Sequence, residues 1–188
     1  MPFGYWVVRL FKREDIRRVG SGNIGATNVW RTYGRWYGIP IVLLDVAKGF
    51  VPALVAALLV NDLAGVLAGG AAMLGHWRPL FLGFQKGGKM VATCGGVLFA
   101  LAPWTGLAAV GVWLAVFVLT RYASLASLVA AVALPVLAVA FGEPWPVIAF
   151  TAAAGAAVIL LHRANIGRLR AGTESRFSFR RRGGVATQ

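Results

Sequence analysis

The sequence predicts an all-α integral membrane protein, a multi-pass helical bundle of about seven transmembrane helices, from its composition, its segment lengths and its charge distribution. Of 188 residues, 59% are hydrophobic and 13% are charged, and the mean hydropathy is +0.72. A soluble domain carries about 25% charged residues, and a single domain this small cannot hide so many apolar side chains. The apolar residues fall into runs near the ~20 that span hydrocarbon. Lysine and arginine collect in every second connection between those runs, the pattern that sets membrane orientation.

Taken in order, residues 1–11 (MPFGYWVVRLF) are too short to span alone and read as the end of a first helix truncated at its start. Further runs follow at 38–60, 63–76, 91–103, 104–120, 123–141 and 145–161. Those at 63–76 and 91–103 are short, so they extend into loop residues or do not fully cross. Residues 1–177 read as one membrane-embedded domain, and 178–188 as a basic cytoplasmic tail expected to be disordered.

The 19 Lys and Arg outnumber 6 Asp and Glu, for a formal net charge of +13. Arg9, Lys12, Arg13, Arg17, Arg18, Arg31 and Arg35 precede the first full run. Arg78, Lys86 and Lys89 follow the second, Arg121 the fourth, and Arg163, Arg168, Arg170, Arg176 and Arg180 to Arg182 fill the C-terminal segment. The alternate turns, at Asn61-Asp62, Pro103-Trp104 and Gly142-Glu143-Pro144, have none. Segments 12–37, 76–90 and 162–188 are therefore expected on the cytoplasmic side. Loop orientation and anionic headgroups account for the basicity without nucleic acid. The single Cys94 excludes an internal disulfide. Lys48 breaks the pattern, lying i, i+3 from Asp45 in LLDVAKGF, on one helix face. Ionisable groups at membrane depth are costly and often functional, yet a pair near the cytoplasmic end serves structure equally well.

Each of the three cytoplasmic segments carries residues suited to phosphate. In GSGNIGATN (20–28), Gly20, Gly22 and Gly25 spell G-x-G-x-x-G, but no strand precedes them, so the dinucleotide fingerprint fails. Small residues still leave backbone N–H groups exposed as an anion nest. Asn23, Thr27 and Asn28 add polar side chains, and Arg31 lies about one helical turn beyond Asn28. In GHWRPLFLGFQKGGKMVAT, Gly83, Gly88 and Lys89 match the start of a Walker A loop, but Met90 stands where Ser or Thr must hold Mg²⁺. The glycines and the lysine charge still suit phosphate. His76, beside Trp77 and Pro79, is either a functional base or an interfacial structural histidine. In HRANIGRLRAGTESRF, His162, Asn165 and Glu174 sit among Arg163, Arg168 and Arg170. By composition alone that is a basic juxtamembrane segment. No metal-ligand spacing occurs, and no His or carboxylate pair is nominated by spacing as acid and base.

Together, DIRRVGSGNIGATNVWR, GHWRPLFLGFQKGGKMVAT and HRANIGRLRAGTESRF closely resemble the three signature motifs of the bacterial acyl-phosphate:glycerol-3-phosphate acyltransferases. Order and spacing are similar too, as is the connecting TRYASLAS (120–127), and the resemblance runs from Pro2 to about Phe177. It implies a multi-pass enzyme of the bacterial inner membrane with cytoplasmic motif loops. Such an enzyme transfers a fatty acyl group from acyl phosphate to the 1-hydroxyl of glycerol 3-phosphate, giving lysophosphatidic acid and phosphate in phospholipid synthesis. No metal or other cofactor is implied. The partners implied are the two substrates and membrane lipids; no oligomeric state follows, and a monomer is compatible with the resemblance.

Residue by residue, the resemblance implies catalytic or charge-binding roles for Ser21, Arg31, Lys89, His162 and Asn165. Gly20, Gly22, Asn23, Gly25, Thr27, Asn28, Gly87 and Gly88 would cradle phosphate, with His76 and Glu174 in support. Lys89 is assigned to glycerol phosphate. Acyl phosphate is a mixed anhydride with a good leaving group, so positioning and charge stabilisation can supply most of the catalysis. Direct transfer, with a substrate phosphate oxygen taking the hydroxyl proton, is favoured over an acyl intermediate on Ser21. Two features depart from the family pattern. Gln85 and Lys86 follow Phe84 where the family has one residue, and Met90 replaces a glycine, which distorts the loop if φ must be positive there. The family's first helix also starts well upstream of Met1. Two other readings stand beside this one. An organic-anion transporter would use the same basic loops, but no half-helices or inverted repeat are evident. An inactive membrane homologue would explain the altered second motif.

Overall fold

In the computed structural model, which describes residues 1–177, each apolar run is a helix. The described residues form α1 (Phe3–Lys12), α2 (Ala26–Tyr33), α3 (Arg35–Leu59), α4 (Asp62–Trp77), α5 (Val91–Leu101), α6 (Pro103–Thr120), α7 (Ala123–Ala140), α8 (Trp145–Leu161) and α9 (Arg163–Arg170), with no strand among them. The tail expected at 178–188 lies outside the described residues. Helix ends follow local chemistry. The Asn61 side chain accepts from the Ala64 N–H at 3.0 Å and caps α4. Pro103 opens α6, where a missing N–H removes no helical bond.

By length and composition, α3, α6 and α7 can cross a membrane, and α8 with α9 makes a fourth candidate, bent by 57°. The remaining apolar helices, α1, α4 and α5, are shorter. With 11 residues, α5 extends only ~16 Å at 1.5 Å per residue. It lies inside the bundle, with Thr93, Cys94, Val97 and Leu98 buried. Its approach to α3 is backbone to backbone: a Cβ on Gly49 would meet the Thr93 carbonyl, and one on Gly96 the Val46 carbonyl. Small residues allow such close crossings in membrane bundles. The crossing brings the turn of α3 that carries Asp45 and Lys48 beside the segment leading into α5.

Two apolar clusters hold the molecule. One joins α3, α4, α5, α7 and α8 through Ala53, Met73, Val97, Leu134 and Phe150. The other fastens α1 and the first loop to α2 and α3 through Val8, Ile16, Ile24, Val29 and Ile41. Much of the outer surface is also apolar, with Leu59 79% and Leu119 83% exposed. Contiguous exposed apolar surface on this scale marks contact with lipid.

The basic connections all meet at one end of the bundle. Arg17 Nη1 donates to Gln85 Oε1 at 2.5 Å, Arg31 Nη2 to the Ser175 carbonyl at 2.9 Å, and the Phe177 N–H to the Arg121 carbonyl at 2.8 Å. At the other end, Thr105 Oγ1 donates to Glu143 Oε1 at 2.7 Å.

Candidate active site

The first loop folds upon itself. Asp15 caps a 3-10 turn at Ile16–Arg18 by accepting from the Arg17 N–H at 3.0 Å, and it pairs with the Arg17 guanidinium at 2.6 Å. Gly20 and Gly22 take left-handed backbone, at φ +59° and +68°, and a Cβ on Gly22 would come within 2.9 Å of the Arg17 carbonyl. Buried Asn28 spans the loop from α2. Its Oδ1 accepts from the Ser21 N–H at 2.9 Å, and its Nδ2 donates to the Val19 carbonyl at 3.0 Å and the Asn23 carbonyl at 2.9 Å. The Gly25 N–H goes to Asn23 Oδ1 at 2.7 Å and the Gly22 N–H to the Val19 carbonyl at 3.1 Å. The amides of Ser21, Gly22 and Gly25 are therefore committed within the loop, and Asn28 is its brace.

What remains for an anion is more specific. Ala26 and Thr27 head α2, where N–H groups have no intrahelical partner. The Ser21 and Thr27 side chains are exposed. Asn23 Nδ2 and Arg31 Nε are buried donors without a hydrogen-bond partner. A buried donor left unmatched costs about 1–3 kcal/mol, so these two atoms favour a ligand that accepts.

The second loop returns against the end of α4. The Gly87 N–H bonds to the Trp77 carbonyl at 2.8 Å and the Gly88 N–H to the His76 carbonyl at 2.9 Å. These amides fix the loop against the end of α4. A Cβ on Gly88 would collide with the His76 ring, so glycine serves close approach here. Gln85 and Lys86 bulge into solvent after Phe84, which has φ +57°, while Gly87 and Gly88 stay buried.

Met90 does occupy a position of positive φ, +69°, just before α5. The loop is not broken, because the side chain is buried in the cluster that contains Cys94 and Val97. Left-handed backbone costs a non-glycine residue about 1–2 kcal/mol, whereas truncating a buried methionine costs about 2–5 kcal/mol. Met90→Gly is accordingly expected to destabilise by about 2 kcal/mol, the difference between the middles of those ranges, read as a lower unfolding temperature in detergent.

Lys89 emerges from this loop towards α9. Its Nζ donates to Asn165 Oδ1, and Asn165 Nδ2 donates to Glu174 Oε1 at 2.7 Å. Ser124 Oγ donates to the same oxygen at 2.7 Å, and Arg168 Nε to Glu174 Oε2 at 2.6 Å. Burial alone would raise the Glu174 carboxyl, but the bonds from Ser124, Asn165 and Arg168 outweigh it and hold the group below the usual range. It is a carboxylate. Burial, reinforced by the charge of Arg168, pushes Lys89 down to about 8. Burial likewise lowers Arg31, whose guanidinium lies 5.7 Å from the Phe177 ring.

His162 sits at the bend between α8 and α9, with Nδ1 2.7 Å from the Val158 carbonyl. A carbonyl only accepts, so Nδ1 carries the proton, and in the neutral ring Nε2 keeps its lone pair. Arg31, Lys89 and Arg168 thus surround one carboxylate, leaving an excess of positive charge beside the free donors of the first loop. Ser124 and Arg168 were not singled out from the sequence. TRYASLAS pointed to the segment without separating Ser124 from Ser127, and Arg168 was one of several arginines. His76 stands apart from this group, with Nδ1 2.6 Å from Lys48 Nζ, which also bonds Asp45.

Comparison with known proteins agrees with this geometry. The glycerol-3-phosphate acyltransferase family profile matches residues 1–172. A glycerol-3-phosphate acyltransferase of Desulforudis audaxviator is 46% identical over 181 residues, covering 96% of this chain and 91% of the relative. One of Aquifex aeolicus is 45% identical over 179 residues, covering 94% and 92%. The crystal structure of PlsY, an integral membrane glycerol 3-phosphate acyltransferase, in its glycerol 3-phosphate form superposes with a TM-score of 0.90 at 44% identity, over 94% of this chain and 88% of that one. Its lysophosphatidic acid form gives 0.87 at 41% identity, over 95% and 89%. The chain belongs to the glycerol-3-phosphate acyltransferase family.

Proposed function

We propose that the protein transfers a fatty acyl group from acyl phosphate to the 1-hydroxyl of glycerol 3-phosphate, in a bacterial inner membrane with its motif loops facing the cytoplasm. The observation that carries this reading is the convergence of Arg31, Lys89 and Arg168 on one polar centre, beside the unpartnered donors Asn23 Nδ2 and Arg31 Nε. Two phosphorylated substrates repel each other, and a site with surplus cations offsets that repulsion. The relatives' names and the two ligand forms of PlsY support the acceptor and the product. The donor follows from the motif resemblance and the abundance of phosphate-binding groups.

In this reading Lys89 and Asn165 hold glycerol 3-phosphate, while Arg31, Asn23, Ser21 and the N-terminus of α2 hold the acyl phosphate. The acceptor oxygen attacks the acyl carbon, the bond from that carbon to the phosphate oxygen breaks, and the hydroxyl proton leaves on a phosphate oxygen. Lysophosphatidic acid and inorganic phosphate result. Holding two reactants in line supplies most of the acceleration when the leaving group is this good. His162 Nε2, a neutral acceptor, orients the hydroxyl.

The test uses purified protein in detergent with palmitoyl phosphate and labelled glycerol 3-phosphate. Lysophosphatidic acid and phosphate should appear in equal amounts and fall to background with Lys89→Ala. Product from palmitoyl-CoA alone would overturn the assigned donor, and no product from either donor would overturn the activity.

A further inference from the structure

We propose that Asp45, Lys48 and His76 form a buried positioning device that sets the Gly87–Gly88–Lys89 segment and thereby tunes affinity for glycerol 3-phosphate. The inference rests on the reading above, in which Lys89 binds the phosphate of that substrate. Lys48 has three donor positions, and all are taken: by Asp45 Oδ1, by His76 Nδ1 at 2.6 Å and by the Met1 carbonyl at 3.2 Å. Its side chain is 10% exposed, and the Phe3 ring covers it at 5.5 Å. A lysine so saturated has no donor left for substrate.

The same bonds fix the histidine. An ammonium can only donate, so His76 Nδ1 must accept, and the imidazole is neutral with its proton on Nε2. Asp45 Oδ1 lies 3.8 Å from Nδ1, outside hydrogen-bond range. Lys48 therefore links α3 to the histidine. His76 then grips the second loop twice. Its carbonyl accepts the Gly88 N–H at 2.9 Å, and its ring fills the space that a Cβ on Gly88 would need. The next residue is Lys89. A buried ion pair is a poor source of stability compared with apolar packing, and ionisable groups at membrane depth are retained for function. What this pair supplies that leucines would not is one ring orientation beneath Gly88.

The variant Asp45→Leu/Lys48→Met removes both charges together, a replacement that buried pairs often tolerate without loss of stability. Its unfolding temperature should stay near that of the parent. KM for glycerol 3-phosphate should rise about tenfold while kcat changes less than about threefold, the mark of lost ground-state binding. KM for palmitoyl phosphate should not move. A second experiment does not depend on that variant folding. Gly88→Ala and His76→Ala should each weaken glycerol 3-phosphate binding by calorimetry, and the double variant should lose less than the sum, because the new methyl occupies the vacated ring space. Unchanged KM in a folded Asp45→Leu/Lys48→Met protein, or strict additivity of the Gly88 and His76 effects, overturns the inference. An inactive parent would instead overturn the assigned reaction.

Discussion

Lys89→Met is expected to lower kcat/KM for glycerol 3-phosphate by about 10²–10³-fold, since truncating one partner of a buried charge pair costs about 2–5 kcal/mol. The same variant should be at least as stable as the parent. Without substrate, Lys89 bonds a neutral amide, Asn165, and sits near Arg168, Lys86 and Arg31. Its pKa falls to about 8 from the ordinary 10.5, with burial the main cause. A lysine whose pKa is lowered by folding penalises the folded state while charged. That penalty is present in full below about pH 8 and fades as pH rises towards 10.5. Methionine removes it, so the variant's advantage in unfolding temperature should be largest near neutral pH and shrink in alkali. Activity moves in the opposite direction. At low glycerol 3-phosphate, the parent's rate should fall as pH passes about 8 and the ammonium is lost, and this limb should be absent from the residual activity of Lys89→Met. A variant that unfolds at a clearly lower temperature would assign Lys89 to structure instead.

The helices were legible because membrane spans announce themselves by length and hydropathy. The run read at 145–161 matches α8 residue for residue, and that at 123–141 differs from α7 by one position. The charge parity also carried real three-dimensional information, since the basic connections meet at one end through bonds such as Arg31 to Ser175. The direction of the backbone amides was not legible. Gly87 and Gly88 have the composition of a phosphate cradle, yet their N–H groups point at the end of α4. The glycine spacing looks the same whether a ligand or a histidine ring needs the room. Asn28 carries a related ambiguity: a polar side chain in a glycine-rich loop can serve the loop as readily as a substrate. Met90 shows the limit from the other side. The family's glycine at this place raised the question of a positive φ, but its tolerance in Met90 depends on a burial site that only the packing of α5 reveals.

Glu174→Gln should be the most destabilising conservative change in the site, and the reason is geometric as well as electrostatic. Glu174 receives donors on both oxygens: Ser124 and Asn165 on Oε1, Arg168 on Oε2. A carboxylate can accept on both sides, whereas glutamine turns an NH₂ towards one of them. Either Arg168 or the Ser124–Asn165 pair must then face a donor. Losing the Glu174 carboxylate also leaves Arg31, Lys89 and Arg168 with less compensation. Breaking a buried pair costs about 3–5 kcal/mol, but Arg168 is 41% exposed and water recovers part of that. A loss of about 2–4 kcal/mol follows from those two considerations, visible as a fall in unfolding temperature. The carboxylate also supports the charge of Lys89, so its removal lowers that group's pKa further. The alkaline limb of the rate should therefore shift to lower pH in Glu174→Gln, an effect that loss of packing alone would not produce. Inorganic phosphate should raise the variant's unfolding temperature more than the parent's, because an added anion restores part of the missing charge. Glu174→Asp keeps the charge but shortens the reach, and should fall between the two. An unfolding temperature and a pH limb that match the parent would mean that Glu174 does not organise the cations around it.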